Sequence, residues 1–169
     1  MITITEATEH DLPIIRDIAY QTWPTTFEEI LSPSQISYML EMMYSLDALR
    51  TQVKDKNHVF LLAQESDSQD CLGYISYEFD YEGQSKTKIH KIYLLPASQG
   101  KGVGRLLIDN VAKLAIDHTN ADLALNVNRY NKAIQFYERM GFTIVGNETI
   151  DIGDGFLMED FIMEKPLNT

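Results

Sequence analysis

The stretch from Ile89 to Arg105 constrains the fold more than any other part of the chain. An alternating, β-branched run from Ile89 to Leu94 predicts a strand, and the glycine-rich loop Gln99-Gly100-Lys101-Gly102-Val103-Gly104 then leads into a helical apolar pattern. Glycine lets the main chain approach a ligand closely, and the first N–H groups of a helix have no partner inside that helix. We therefore predict a diphosphate cradle at the start of this helix, to which Lys101 and Arg105 add positive charge.

The spacing of the glycines argues against two familiar phosphate loops. A P-loop requires Ser or Thr directly after its lysine, whereas Lys101 is followed by Gly102. A dinucleotide fingerprint requires Gly-x-Gly-x-x-Gly in the first βα unit and an acidic residue that closes the next strand. Here the glycines recur at every second position, the unit lies past the middle of the chain, and Asp122 begins its strand. The pattern Gln99-x-x-Gly102-x-Gly104 therefore indicates a third kind of diphosphate loop.

Composition limits the class of protein and its partners. A chain of 169 residues that is 44% hydrophobic predicts one globular domain, residues 1–169. Fourteen basic and 25 acidic residues give a net charge of −11, which disfavours nucleic acid and anionic membranes and is compatible with a cationic substrate. The single cysteine, Cys71, excludes an internal disulfide and a cysteine-rich metal site, and we predict no metal. Without a signal-peptide pattern or an apolar run approaching about 20 residues, we expect a cytoplasmic protein.

Hydrophobic periodicity predicts the order of the elements. A short first strand, Ile2–Ile4, is followed by a helix that starts at Asp11 and that the segment Trp23–Phe27 breaks, and then by two further helices from Ser32 and Leu46. An antiparallel meander completes the first half of the chain, and the second half predicts a central βα unit and a terminal hairpin. The expected strands are Val59–Ala63, Leu72–Phe79, Ile89–Leu94, Asp122–Val127, Phe142–Val145 and Phe156–Met163.

The aromatic and methionine-rich segment before residue 45 allows two interpretations. Trp23, Phe27 and Tyr38 can simply fill the core, as aromatic residues on amphipathic helices commonly do. They can also form a substrate wall, where aromatic faces would receive an amine. The sequence leaves both interpretations open.

A second motif agrees with the glycine loop. The helix predicted after the turn at Asn131 carries Asn131-x-Ala133-x-x-Phe136-Tyr137-Glu138-x-x-Gly141-Phe142. Together, the two motifs and the order of elements resemble the GNAT superfamily of acyl-CoA N-acyltransferases across almost the whole chain. The resemblance implies an α/β fold of the α+β type: a mixed, mostly antiparallel seven-stranded sheet that splays at its centre, with helices on both faces.

The resemblance also implies acetyl-CoA as the acetyl donor. The main chain from Ile92 to Leu94 would pair with the pantetheine arm, the glycine loop would hold the diphosphate, Asn131 would bond the arm, and Tyr137 would lie near the sulfur. The full set of cofactor-binding residues implied is Ile92, Tyr93, Leu94, Gln99, Gly100, Lys101, Gly102, Val103, Gly104, Arg105, Asn126, Asn131 and Tyr137.

The chemistry of amide formation suggests roles for three side chains. An attacking amine must lose a proton, a departing thiolate gains from receiving one, and Tyr137 is a candidate for that acid. Many members of the superfamily carry a glutamate on the central strand, where this chain has Lys88 and His90 on one face. His90 is therefore one candidate base, and Glu78 on the neighbouring strand is a second candidate base that could also bind substrate.

Within the superfamily, the segment Thr22–Val53 and the C-terminal ending Ile152-Gly153-Asp154…Asp160-Phe-Ile-Met-Glu-Lys-Pro resemble bacterial spermine/spermidine N-acetyltransferases. This favours a small primary amine, with a polyamine first, as the acceptor, which Trp23, Phe27, Tyr38 and Glu78 would contact. A peptide or protein N-acetyltransferase and a non-catalytic acetyl-CoA-binding module remain alternatives. A homodimer is possible.

Overall fold

The computed structural model describes residues 1–167, so the last two residues of the predicted domain lie outside the described part. These residues form seven strands and five α-helices. They are β1 (Ile2–Glu6), α1 (Leu12–Phe27), α2 (Pro33–Tyr44), α3 (Leu46–Asp55), β2 (Val59–Glu65), β3 (Cys71–Glu78), β4 (Lys86–Leu94), α4 (Val103–Asp117), β5 (Asp122–Asn128), α5 (Ala133–Arg139), β6 (Thr143–Gly153) and β7 (Phe156–Pro166).

All seven strands belong to one sheet, in the order β1-β2-β3-β4-β5-β7-β6. Every neighbouring pair is antiparallel except β4 and β5, which are parallel and are joined through α4. The predicted mixed, mostly antiparallel sheet is confirmed. The hairpin of β6 and β7 is longer than its sequence pattern indicated.

The parallel pair separates partway along its length. Pairing between β4 and β5 runs from Lys86 with Asp122 to Ile89 with Leu125 and then stops. Both strands continue past that point, β4 to Leu94 and β5 to Asn128, without pairing to each other. The sheet therefore opens between their carboxyl ends, as the resemblance implied, and leaves main-chain groups of β4 without a strand on that side.

Helices cover both faces of the sheet and make two cores. On one face, α4 and α5 pack through Leu107, Val111 and Tyr137 onto alternate residues of β2 to β5 and β7. On the other face, α1 to α3 pack onto β2 and β3 through a core that contains Trp23 and Tyr44. Within residues 1–167, no helix combines the length and hydropathy that a membrane crossing requires.

The prediction that Trp23–Phe27 ends the first helix is wrong, because α1 continues through Pro24 to Phe27. Proline removes one main-chain donor and normally bends or ends a helix. Here Pro24 lies on the exposed side, while Trp23 and Phe27 are 1% and 3% exposed with ring centroids 4.5 Å apart. Burial of these two rings outweighs the lost hydrogen bond, since each is worth several times more than one exposed bond.

A β-bulge interrupts the pairing of β3 with β4. Tyr77 pairs with Ile89 and Ser76 pairs with Lys91, which leaves His90 as an extra residue. An extra residue shifts the alternation of side chains by one position. As a result, Lys88, His90 and Lys91 all point to the face that α1 to α3 partly cover.

Candidate active site

The loop between β4 and α4 has the geometry of an anion cradle. Gly100 and Gly102 have φ values of +77° and +68°, which L side chains rarely adopt, and a Cβ at either position would meet nothing within 4 Å. The first helical bond of α4 runs from Leu106 N to Gly102 O, so the N–H groups before it have no intrahelical partner. Gly104 serves packing instead, since a Cβ there would lie 3.1 Å from Phe136.

The two basic side chains of this cradle differ in their surroundings. Lys101 forms an ion pair with Glu65, which lowers the pKa of that carboxyl group. Arg105 is exposed on the first turn of α4. A diphosphate bound at the helix start would therefore compete with Glu65 for Lys101, while Arg105 has no such competitor among the described ion pairs.

A cavity of about 430 Å³ occupies the opening between β4 and β5. Its walls combine the free ends of the two strands with α1, α2, α5 and the terminal hairpin. The lining includes the predicted residues Ile92, Tyr93, Leu94, Asn126, Asn131, Tyr137, His90, Trp23 and Phe27. A volume of this size, reached from the glycine loop along β4, suits a pantetheine arm and a small acceptor.

Tyr137 places a buried phenol at this cavity. It is 8% exposed, and burial raises its pKa, so the hydroxyl keeps its proton at neutral pH. Asn131 stands at the start of the same helix, where its Oδ1 accepts a hydrogen bond from Ala133 N at 2.8 Å. The sequence motif therefore has a structural reason as well: Asn131 caps the turn that positions Tyr137.

His90 and Glu78, the two candidate bases, are in contact. Nε2 of His90 lies 3.0 Å from Oε1 of Glu78, and the His58 ring stacks on the His90 ring with centroids 3.9 Å apart. The pKa of His90 is lowered to about 2, first by burial and then by His58, Lys91 and other basic side chains nearby. Contact with Glu78 acts in the opposite direction, because a carboxylate favours the imidazolium. Burial raises the pKa of Glu78. Of these two residues, His90 lines the cavity and Glu78 does not, so Glu78 contacts the cavity through His90 alone.

His58, Glu78 and His90 bring three metal-ligating atoms within 4.8 Å of one another, yet their geometry is unsuited to a metal. A metal must lie in the plane of each imidazole, at about 2.0–2.1 Å from the nitrogen. The two ring planes are inclined by only 13° and are stacked, so they do not meet at such a distance. Nearby Lys56 and Lys91 also disfavour a cation.

Lys91 is a lining residue that the sequence did not reveal. It is 6% exposed, and its Nζ donates to Gln52 Oε1 at 2.7 Å and lies 5.6 Å from the ring centroids of Tyr44 and Phe60. Burial, followed by Lys56, lowers its pKa to about 7. Strict alternation along β4 would have placed it on the opposite face from His90, and only the bulge brings it to this side.

Asn126 belongs to a polar cluster at the outer side of the cavity. Its Oδ1 accepts from Lys88 Nζ, and its Nδ2 donates to Glu148 Oε1 at 2.9 Å and to Asp160 Oδ2 at 3.3 Å. The ammonium of Lys88 also lies 4.9 Å from the centroid of the Tyr81 ring. These bonds occupy the side chain that was expected to bind the cofactor.

Two of the three aromatic residues predicted to form a substrate wall line the cavity, and the third does not. Trp23 and Phe27 line the cavity, together with Met39 and Met43 of α2. Tyr38 does not line it, because its hydroxyl donates to Ile152 O at 3.0 Å and its ring packs against Phe156. Tyr38 therefore ties α2 to the terminal hairpin and is not a wall residue in this conformation.

Comparisons with known proteins agree with this fold and cavity. Residues 27–163 match the family described as acetyltransferase (GNAT) domain. The chain is 26% identical to YuaI, an uncharacterized N-acetyltransferase of Bacillus subtilis, over 94% of this chain and 90% of YuaI. It is 25% identical to a spermidine N(1)-acetyltransferase of Thermoplasma acidophilum, over 97% and 96% of the two chains. The crystal structure of PaiA N-acetyltransferase from that organism, in complex with coenzyme A, superposes with a TM-score of 0.80 at 25% identity, covering 98% of this chain and 99% of PaiA.

The fold and the cavity define an acyl-CoA-dependent transferase. The chain belongs to the GNAT acetyltransferase family and is an N-acetyltransferase that uses acetyl-CoA. The resemblance inferred from the two motifs is thereby confirmed at the level of family, fold and cofactor.

Proposed function

We propose that this protein transfers the acetyl group of acetyl-CoA to a small primary amine by direct attack. The observation that carries the proposal is the cavity between β4 and β5, since it brings Tyr137 and His90 together beside the free end of β4. Acetyl-CoA supplies the thioester carbonyl. The protein positions the two substrates and moves protons.

The coenzyme would follow the route from the glycine loop to the cavity. Gln99 to Arg105 would hold the diphosphate at the start of α4, and the main chain of Ile92 to Leu94 would pair with the pantetheine arm on the side where β5 has separated. Asn131 would bond the arm at the entry to α5. We place Asn126 on the acceptor side, because its hydrogen bonds join Lys88 to two carboxylates.

Tyr137 and the His90–Glu78 pair would carry the proton transfers. The phenol of Tyr137 stays protonated and can donate to the departing sulfur. Burial and nearby cations hold the pKa of His90 far below neutral, so the ring is neutral but is a weak base on its own. It would receive the proton of the acceptor ammonium with the help of the Glu78 carboxylate to which it is bonded. Its bond to Glu78 would place the positive charge of the imidazolium next to a carboxylate, which offsets the cost of burying that charge.

A polyamine is our leading acceptor. The net charge of −11 favours a cation, and a spermidine N(1)-acetyltransferase is similar over nearly the whole chain. Trp23 and Phe27 would contact the carbon chain of the acceptor. We further expect a cytoplasmic enzyme, with a homodimer as a possible assembly.

The proposal is tested by following free-thiol release from acetyl-CoA with spermine, spermidine, simple diamines, amino acids and short peptides. Wild type should turn over polyamines, and Tyr137→Phe should lower kcat by roughly 100-fold or more while leaving the Kd for acetyl-CoA unchanged. Tyr130→Phe is the matched control, since Tyr130 is 63% exposed. Turnover of peptides alone would favour a protein N-acetyltransferase, and acetyl-CoA binding without any turnover would favour a regulatory module.

A further inference from the structure

Asp160 presents an unusual carboxylate to the cavity. The residue is 7% exposed and lines the cavity from β7. Its Oδ2 accepts only the 3.3 Å bond from Asn126, and its Oδ1 is buried without a hydrogen-bond partner in the described part of the chain. A buried carboxylate oxygen without a partner is costly, and burial raises the pKa of this group accordingly. Such an oxygen is suited to a donor that arrives with a ligand.

The surroundings of Asp160 already hold one alkylammonium group. Lys88 Nζ is bound by the amide oxygen of Asn126 and faces the Tyr81 ring. Burial lowers the pKa of Lys88, and the charges of Glu148 and Asp160 oppose that effect. An amide oxygen, an aromatic face and carboxylates are the groups that bind a primary ammonium in water-poor sites. The chemistry of this cluster therefore matches an amine.

The cluster has more negative charge than Lys88 can balance. Asp160 lies opposite Glu148 in the pairing of β6 with β7, and the same Nδ2 of Asn126 bonds both carboxylates. Two carboxylates with one ammonium leave one negative charge. Asp160 is buried, whereas Glu148 is exposed on β6.

We propose that Asp160, with the exposed Glu148 opposite it on β6, binds a second ammonium group of the acceptor, so that the preferred acceptor is a diamine or a longer polyamine. This inference rests on the proposed acetyl transfer and adds to it the residues that select the acceptor. The reacting amine would lie toward His90 and Tyr137, and the distant ammonium would donate to Oδ1 of Asp160.

The test compares two acceptors that differ in one charge: diaminobutane and pentylamine, in which a methyl group replaces the second amino group. Wild type should show a kcat/KM that is roughly 10- to 100-fold higher for the diamine, the range expected for one hydrogen bond to a charged group. Asp160→Asn should remove most of this preference, mainly through KM, and leave kcat/KM for pentylamine within about twofold. Glu148→Gln should also reduce the preference for the diamine. Because Glu148 is exposed, this variant should fold normally, and it therefore tests the site even if Asp160→Asn misfolds.

Glu164→Gln is the matched control. Glu164 lies on β7 four residues beyond Asp160, and its charge is paired with Lys86. It should leave the preference for the diamine unchanged. If Asp160→Asn and Glu148→Gln lower kcat/KM equally for both acceptors, or if wild type does not prefer the diamine, the proposed second-ammonium site is refuted. The proposed acetyl transfer would not be affected by that result.

Failure of the acetyl transfer is recognised separately. If no amine is turned over, calorimetric titration of spermidine in the presence of coenzyme A decides the matter. Binding that Asp160→Asn weakens would retain the ammonium site and overturn the transfer reaction. The absence of spermidine binding would overturn both.

Discussion

Gly73 links the fold to coenzyme binding, and its replacement by alanine gives a quantitative prediction. Gly73 pairs with Leu94 across β3 and β4, and a Cβ there would lie 2.6 Å from Leu94 Cδ2 and 2.7 Å from the carbonyl oxygen of Tyr93. The leucine methyl can rotate away, but the carbonyl belongs to the main chain. That distance must grow by roughly 0.7 Å to reach an ordinary contact of 3.4 Å. The end of β4 must therefore move.

The expected costs follow from this displacement. Overpacking of a strand pair by one methyl group costs about 1–3 kcal/mol, which lowers Tm by roughly 2–12 °C for a chain of this size. The displaced peptide lies within the segment proposed to pair with the pantetheine arm, so KM for acetyl-CoA should rise by about tenfold, and KM for the amine should rise less. Thermal unfolding followed by circular dichroism and steady-state kinetics measure the two effects.

Gly146→Ala provides the control for this prediction. Gly146 also lies in a strand, and a Cβ there would approach no atom closer than 3.8 Å, at Ile162 Cδ1. Alanine at this position should leave Tm unchanged or raise it slightly, because it restricts the unfolded chain. If Gly73→Ala behaves like Gly146→Ala in both assays, the close approach of β3 to the end of β4 does not govern this site.

Two further predictions concern the buried charges. Glu78→Gln and His90→Gln should each lower kcat by roughly 100-fold or more in the thiol-release assay, with little change in the Kd for acetyl-CoA. His118→Gln is the control and should leave kcat unchanged, although His118 also contacts a carboxylate, at 2.9 Å. Equal kcat values for all three variants would contradict the proposed proton path. Lys91→Met should abolish a rise in the free energy of unfolding of wild type between about pH 7 and pH 10. In that window the unfolded lysine still binds a proton that folded Lys91, with its pKa lowered to about 7, has released, so stability rises with pH by up to about 4 kcal/mol. Denaturant unfolding of wild type and Lys91→Met across this pH range measures the difference. If the free energies of unfolding of the two proteins change with pH in parallel, Lys91 is solvated and its pKa is not lowered.

The local structure of the proposed coenzyme side, the glycine loop and the turn before α5, could be predicted because its signals are local. Gly100 and Gly102 both adopt a positive φ, which glycine favours, and they are only two residues apart. The strand before them and the helix after them each show a clear hydrophobic periodicity. The same is true of Asn131, which caps the turn before Tyr137. A spacing motif can encode such a site because sequence neighbours build all of it.

The polar cluster that we propose as the acceptor side could not be predicted in the same way. Lys88, Asn126, Glu148 and Asp160 come from four different strands, and only the register of the sheet brings them together. No period or motif joins positions so far apart in sequence. The continuation of α1 through Pro24 likewise depends on the burial of Trp23 and Phe27, which is a tertiary effect that overrides a local rule.

The bulge at His90 connects these two halves of the site. The last pair between β4 and β5 is Ile89 with Leu125, and the bulge at His90 follows it by one residue. Because a bulge increases the local twist of a strand, the twist of β4 changes where the two strands begin to separate. The same extra residue turns Lys91 to the face of His90, so both side chains reach the cavity while Ile92 and Leu94 remain packed beneath α4. The inserted residue therefore lies where the two strands separate, and it brings His90 of β4 within 3.0 Å of Glu78 on the neighbouring strand, which is the pair proposed above to accept the proton.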